Sequence, residues 1–438
     1  MPPESVQRGT AKKGDGDPFS PFYPAKPELY YSKTIEDLKA EHIIPAIPAI
    51  PLGYGDVYNI ISQMGGHSAP KEWQGGLNVT YKLGPGLINN QKLEIEVHST
   101  IEKREIQNVI GYLKGLKETD RFVMLSNHYD AWSYGSMDPN SGTAIMAEVA
   151  RAMVQAKNDG VFKPLRSIMF CAWDSEEFGL MGSNEFAEEF THFLSQRVVA
   201  LLNVDLISGN STLKLEAVPT LYNTVMEAAR AIDTPLEAEK AAGRKSIYDT
   251  WYHRTPGSNP IYPELPSIGA PNDGSDHATY MSYIGIPVVD FTYLRHNDNP
   301  LTNRTYPLYH TLYETPFTNE HLFDTNNFAV HKIDQLDPKA LTDLQIRDIN
   351  DRIMLAERCF IVPTGMPNAP IHRNVLFSFA NHNAYAASIM PGIYDTITAL
   401  EQAETEEDRL KLGGELAEQV SHLQHSVQCA SSSLLSDP

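Results

Sequence analysis

The 438-residue sequence predicts an α/β fold, a mainly parallel central sheet flanked by helices, with a β-rich N-terminal part and a small helical C-terminal part. Three observations carry this reading. Apolar runs of strand length alternate with amphipathic runs of helix length through the middle of the chain, the pattern of a parallel sheet covered on both faces. Residues 1 to about 90 are rich in Pro and Gly and hold only short alternating runs such as GGLNVTYKL and KLEIEVHS, which read as strands and loops. From about residue 325 the pattern turns helical, in LTDLQIRDINDRIMLAERCF and RLKLGGELAEQVSHLQHSVQCA.

The elements follow in order. RFVMLSNH is a strand, and SGTAIMAEVARAMVQA is a helix with apolar residues at helical spacing. RSIMFCAWDSEE is a second strand, followed by the helix SNEFAEEFTHFLSQR. VVALLNVDLIS is a third strand, TLYNTVMEAARAI a helix, and IPVVDFTY a further strand.

Composition narrows the function classes. Hydrophobic residues make up 42% of the chain and aromatics 9%, an ordinary globular balance that excludes general disorder. Net charge is 35 − 55 = −20, which argues against nucleic acid and anionic membrane surfaces as partners. The three cysteines, Cys171, Cys359 and Cys429, are too few for a disulfide framework, and Cys171 inside its apolar strand reads as a small buried residue. Sequons at Asn78, Asn210 and Asn303 are compatible with secretion. No signal peptide or membrane span is read in the sequence, whose N-terminus is polar.

FCAWDSEEFG poses the functional question, because a buried strand ends in the acids Asp174, Glu176 and Glu177, and adjacent carboxylates at the mouth of a sheet repel each other. Ligands of open α/β sheets bind at the carboxyl ends of strands. Those ends present His128 and Asp130, Glu176 and Glu177, and Asp205, with Asp138 on the loop before a helix and His310 in YPLYHTLYET. Imidazole and carboxylate suit zinc, and a shared carboxylate can bridge two ions, which would neutralise the DSEE acids. Capping of helix N-termini is the competing reading for any single strand-end acid. Agreement of four such motifs in residue type and order favours the metal.

At these residues the sequence resembles the glutamate carboxypeptidase and transferrin-receptor-like family of co-catalytic zinc peptidases. The similarity runs collinearly through QRGTAKKGDGDPFSPFYPA, NVIGYLKG, DPNSG, WDSEEFGLMGSNEFAEE, NVD, GSDHATYMSYIGIP, YPLYHTLYET, MLAERCFIVPTGMP and NHNAYAASIMPGIYD. The resemblance implies two zinc ions: one held by His128 and Asp205, the other by Glu177 and His310, with Asp138 bridging both. It implies Glu176 as general base, Asp130 as the acid that orients His128, and Tyr309 as the oxyanion donor. It further implies a structural calcium held by backbone oxygens of Ser20 and Tyr23 and by Glu185 and Glu188, and a substrate pocket lined by Gly274, Ser275, Tyr309 and Tyr385.

Departures from the family bear on specificity. Asp290 and Thr292 stand where the carboxypeptidases carry arginines, Ala384 replaces a carboxylate-binding lysine, and Thr10 replaces an asparagine. The expectation is therefore hydrolysis of small neutral rather than acidic peptides. By this resemblance residues 1–102 are part of a protease-associated (apical) domain, 103–325 a zinc peptidase domain and 326–438 a shortened helical dimerisation domain, with HKIDQL lying across a deletion. The parent family implies a homodimer and an extracellular or secretory-lumen setting, with a parent type II membrane protein. Two readings stay open at this point: a di-zinc peptidase, and a catalytically silent receptor-like relative. A di-zinc hydrolase of another bond is the third.

Overall fold

A computed structural model describes residues 2–28, 32–209, 212–257, 265–294, 308–317, 342–367, 369–380 and 383–435, without the side chains of 379–387 and 435. Asn210, Asn303, HKIDQL, the 325/326 boundary and the side chains of Ala384 and Tyr385 lie outside the described residues.

The core is a six-stranded sheet of order β1-β3-β2-β4-β6-β5, where β1 is Val109–Leu113, β2 Glu118–His128, β3 Arg166–Trp173, β4 Val198–Asn203, β5 Thr212–Ala217 and β6 Val288–Leu294. The four inner strands β3, β2, β4 and β6 run parallel, and the two edge strands are antiparallel. The four predicted strands are the parallel ones, because burial on both faces makes each a continuous apolar run. The two edges lacked that signal. NVIGYL carries a glycine, and TLKLEA interrupts its apolar residues with Lys214 and Glu216.

Helices Asn140–Asn158, Met181–Arg197 and Tyr222–Ala231 form where the 3.6-residue period predicted them. The main apolar cluster gathers Met124, Met169, Cys171, Trp173, Leu194, Val198, Leu201, Tyr280, Ile286 and Val288. Trp173 closes β3 from below: its indole N–H donates to Ser126 Oγ at 2.7 Å and its ring stacks on Tyr280 at 5.8 Å. That fixes the strand end from which the acidic turn departs.

The C-terminal unit comprises helices Asp343–Arg358, Pro391–Gln402 and Glu406–Leu435, with a two-stranded sheet of Phe377–Ala380 and Asn383–Ile389. A capping box at Thr342 and Gln345 starts the first helix. Arg358 docks that helix on the large sheet by donating to the Val198 carbonyl at 2.7 Å. A disulfide joins Cys359 to Cys429, which the count of three cysteines did not reveal, and Cys171 is free and buried as expected.

The N-terminal part departs from its β-rich expectation. Among the described residues, 2–107 hold helices Ile35–Ala40 and Tyr54–Ile61 and isolated bridges such as Ser68 with Lys82, but no strand. KLEIEVHS alternates as a strand should, yet it has no partner strand, and its Ile95 is 54% exposed. A strand exists only through its neighbours' hydrogen bonds, so alternation without a partner gives coil.

Candidate metal centre

The parallel register brings the carboxyl ends of the strands level: His128 pairs with Trp173, Ser126 with Asn203, and Asn203 with Asp290. Beyond those ends the polar residues converge. His128 Nε2 lies 3.1 Å from Asp205 Oδ1 and 3.4 Å from Asp138 Oδ1. His310 Nε2 lies 3.0 Å from Glu177 Oε2 and 3.3 Å from Asp138 Oδ2. Two donor triads result, His128–Asp138–Asp205 and Asp138–Glu177–His310, each with its ligand atoms within 4.8 Å of one another and with Asp138 in common.

Local structure explains how each side chain is held. The Nδ1 of His128 lies 3.0 Å from the Asp130 carbonyl, so its N–H donates there and Nε2 faces the acids. The Asp130 carboxylate reaches the other way, accepting from the backbone N–H of Glu176 at 2.9 Å and of Glu177 at 3.2 Å. One acid thus fixes both an imidazole and the acidic turn. Ser175, at the head of that turn, has φ 59°, and His310 has φ 59°, left-handed conformations costing roughly 1–2 kcal/mol each in non-glycine residues. Asp174 is the structural member of the acidic trio, accepting from Gln107 N at 2.8 Å. Gly142, in DPNSG, lets the helix Asn140–Asn158 start against the strand: a Cβ there would sit 2.2 Å from the Asp205 carbonyl.

Two supports were invisible in the sequence reading. Glu314, which is buried, accepts from the backbone N–H of Met137 at 3.0 Å and of Asp138 at 2.7 Å through one oxygen, so it sets the shared carboxylate. Its only signal was an acid four residues after His310. Arg8 acts through its backbone: its carbonyl lies 3.0 Å from His310 Nδ1, and its N–H donates to the His310 carbonyl at 3.1 Å. A backbone contact leaves no trace in side-chain identity.

Electrostatics show what the cluster demands. Burial alone would lower the His128 pKa, but Asp205, Glu176, Asp130 and Asp138 outweigh it and hold it well above the ordinary value. For His310 the same contest against burial, won by Asp138 and Glu177, raises it to about 10. Burial pushes Glu176 well up, with Asp205, Asp276 and Glu177 adding to it against His128. Five carboxylates (Asp130, Asp138, Glu176, Glu177, Asp205) face two imidazoles, so protons on both rings still leave excess negative charge. The buried Asp138 Oδ1 accepts no hydrogen bond and has only the His128 ring at 3.4 Å. Donor types and that orphan oxygen fit divalent cations.

The other expected residues fall as follows. Glu176 sits 3.9 Å from His128 Nε2, beside both triads. Tyr309 stacks on the His310 ring at 3.6 Å between centroids. Ser275 Oγ accepts from Asn203 Nδ2 at 3.0 Å, and the same nitrogen donates to Asp290 at 2.9 Å, so Ser275 and Asp290 share a polar group two residues from Asp205. Gly274 precedes them, its N–H on Asn272 Oδ1 at 2.7 Å, while Thr292 turns to the Leu206 carbonyl at 2.6 Å. Glu185 accepts from Asp17 N at 2.7 Å and Ala25 N at 2.5 Å, and Glu188 from Phe22 N at 2.8 Å. Ser20 and Tyr23 lie in that loop, joined by a backbone bond of 3.0 Å. Burial, with Glu185 adding, raises Glu188 to about 8, and its buried Oε2 accepts no hydrogen bond.

Residues 108–332 match the model of peptidase family M28, and residues 322–435 match the transferrin receptor-like dimerisation domain. The chain is 39% identical over 524 aligned residues to a glutamate carboxypeptidase 2 homolog of Caenorhabditis elegans, covering 99% of this chain and 66% of that protein. It is 37% identical to the aminopeptidase NAALADL1 of Rattus norvegicus over 72% of this chain and 42% of the other. A probable glutamate carboxypeptidase, LAMP1 of Arabidopsis thaliana, is 29% identical over 91% of this chain and 63% of its own length. The chain thus spans 66% of the length of its nematode relative.

Proposed function

The chain belongs to peptidase family M28, and we propose that it is a zinc-dependent exopeptidase acting on small, neutral peptides. The observation that carries the reading is the pair of donor triads sharing Asp138 at one sheet edge. His128 and Asp205 would hold one zinc, Glu177 and His310 the other, and Asp138 both. Bound there, zinc supplies a water of lowered pKa and polarises the scissile carbonyl.

The chain's own residues perform the remaining work. Asp130 holds the His128 ring in the tautomer that leaves Nε2 free for the ion, and anchors the turn that presents Glu176. Glu176 takes the proton of the attacking water and returns it to the leaving nitrogen. The Tyr309 hydroxyl donates to the oxyanion that develops on the substrate. Gly274 and Ser275, with Tyr309, would line the substrate pocket. Asp290, an acid beside Ser275, disfavours acidic side chains there, which supports the preference for neutral peptides.

The same reading extends to the rest of the chain. The orphan Oε2 of Glu188 supports a structural calcium among Ser20, Tyr23, Glu185 and Glu188. The spans of the two family matches support a peptidase domain at 103–325, a dimerisation-type domain at 326–438 and a homodimer built through the latter, beside an N-terminal domain at 1–102. The Cys359–Cys429 disulfide supports an oxidising, extracellular or secretory setting. Among the described residues no helix is long and apolar enough to cross a membrane.

The deciding experiment is zinc content by elemental mass spectrometry beside a screen of neutral and acidic dipeptides. About two zinc ions at the centre with neutral dipeptides cleaved is the expected result. Folded protein without zinc and without peptidase activity would leave the receptor-like reading in its place.

A further inference from the structure

A third group of metal-ligating side chains lies outside the centre. Asp15, Asp273 and His372 bring one ligand atom each to within 4.8 Å of one another. Among the described residues the only other groups of this kind are the two triads that share Asp138. The three side chains come from separate parts of the chain: the N-terminal segment, the loop before Gly274, and the C-terminal unit.

We propose that Asp15, Asp273 and His372 bind one additional divalent ion of the zinc type, which staples these three segments together. The donor set is one imidazole and two carboxylates, with a position left for water. Tetrahedral donors with bonds of about 2.1 Å stand about 3.4 Å apart, and the three atoms already lie within 4.8 Å of one another, near enough for side-chain rotation to close them on one ion.

Each ligand is held by structure that does not depend on the ion. His372 closes a tight loop, its N–H on the Ala369 carbonyl and its carbonyl on Met366 N, both at 3.0 Å. Asp273 follows Asn272, whose side chain donates to Glu216 at 2.7 Å and whose carbonyl meets His277 Nε2 at 2.9 Å. Next to Asp15, Gly16 has φ 71° and donates to the Gly179 carbonyl at 2.9 Å. A Cβ on Gly16 would strike Asn184 at 2.2 Å, so the segment lies tight against the helix Met181–Arg197.

Charge points the same way. His372 is only 2% exposed, and burial lowers its pKa to about 3, so the ring is neutral, the form that ligates. Burial raises Asp15 to about 6 even with Lys12 opposing it, and raises Asp273 well above its ordinary value with Asp15 adding. Lys12 spends its ammonium on the carbonyls of Gly14 and Gly16. Two facing carboxylates beside a neutral imidazole want a cation that the chain supplies only in part.

The ion would also bear on the pocket, since Asp273 directly precedes Gly274 and Ser275. It does not rest on the peptidase reading, and the test separates the two. The full chain is stripped with a chelator, reloaded with zinc, desalted and counted by elemental mass spectrometry. His372→Ala and Asp15→Asn should each carry about one zinc fewer than the parent. The double variant His128→Ala, His310→Ala should keep that one while losing those of the centre. Counts unchanged in both His372→Ala and Asp15→Asn overturn the proposal. If His372→Ala fails to fold, half-buried Asp15→Asn decides alone. A double variant that loses no zinc would instead count against the centre.

Discussion

The carboxyl edge of the sheet and the stretch from residue 91 to 107 carry similar sequence and reach opposite ends. β2 and KLEIEVHS both read as strands, yet β2 is hydrogen-bonded on both sides, to β3 and β4, while residues 91–107 are coil with Leu93, Ile95 and Ile101 exposed. At the edge, every acid is answered by a backbone N–H, an imidazole or a neighbouring strand end. In the stretch, Leu93, Ile95 and Ile101 stay open to solvent. What separates them is long-range pairing, and it sets the size of each expected response.

The largest response belongs to Glu176→Gln. On the proposed mechanism the substitution removes the group that moves protons while leaving both triads intact, so turnover of a neutral dipeptide should fall about 10²- to 10⁴-fold with zinc content unchanged. Near-parent turnover with full zinc would sink the assigned role. Next comes Met124→Ala at the buried heart of β2, which should cost about 2–5 kcal/mol in chemical denaturation. A cost under about 1 kcal/mol would mean that the sheet collapses around the missing side chain.

Glu314→Ala tests the middle of the range. It strands the backbone N–H groups of Met137 and Asp138 and frees the shared carboxylate, so zinc affinity should drop about 10- to 100-fold. Glu314→Gln keeps an oxygen acceptor and should recover most of that loss. Equal losses in the two variants would show that charge, not orientation, is what Glu314 provides.

These cases also mark what could be read from sequence. The four parallel strands announced themselves because burial on both faces forces continuous apolar runs. His128, Glu176, Glu177 and Asp205 announced themselves because each sits at or just past a strand end, while Asp138 lies on the loop before a helix and His310 in an aromatic run. The edge strands β1 and β5 did not, since an antiparallel edge needs burial on one face only. Arg8 could not be found at all, because it acts through its carbonyl and N–H. Glu314 was a single acid in an aromatic run. The Cys359–Cys429 bond spans 70 residues of sequence and becomes legible only when the first and last C-terminal helices pack.

The smallest effect expected is the sharpest probe of the comparison. Ile95 is 54% exposed in a segment without a partner strand, so Ile95→Ser removes apolar surface that is already largely in water. Its cost should stay within about 0.5 kcal/mol in chemical denaturation, as for an ordinary surface position. Losses of about 2 kcal/mol or more, comparable with a buried side chain, would mean that residues 91–107 are covered in solution by something that pairs with their alternating face. The contrast between the two regions would then be one of partners rather than of sequence, and a concentration-dependent melting temperature would identify a second copy as that partner.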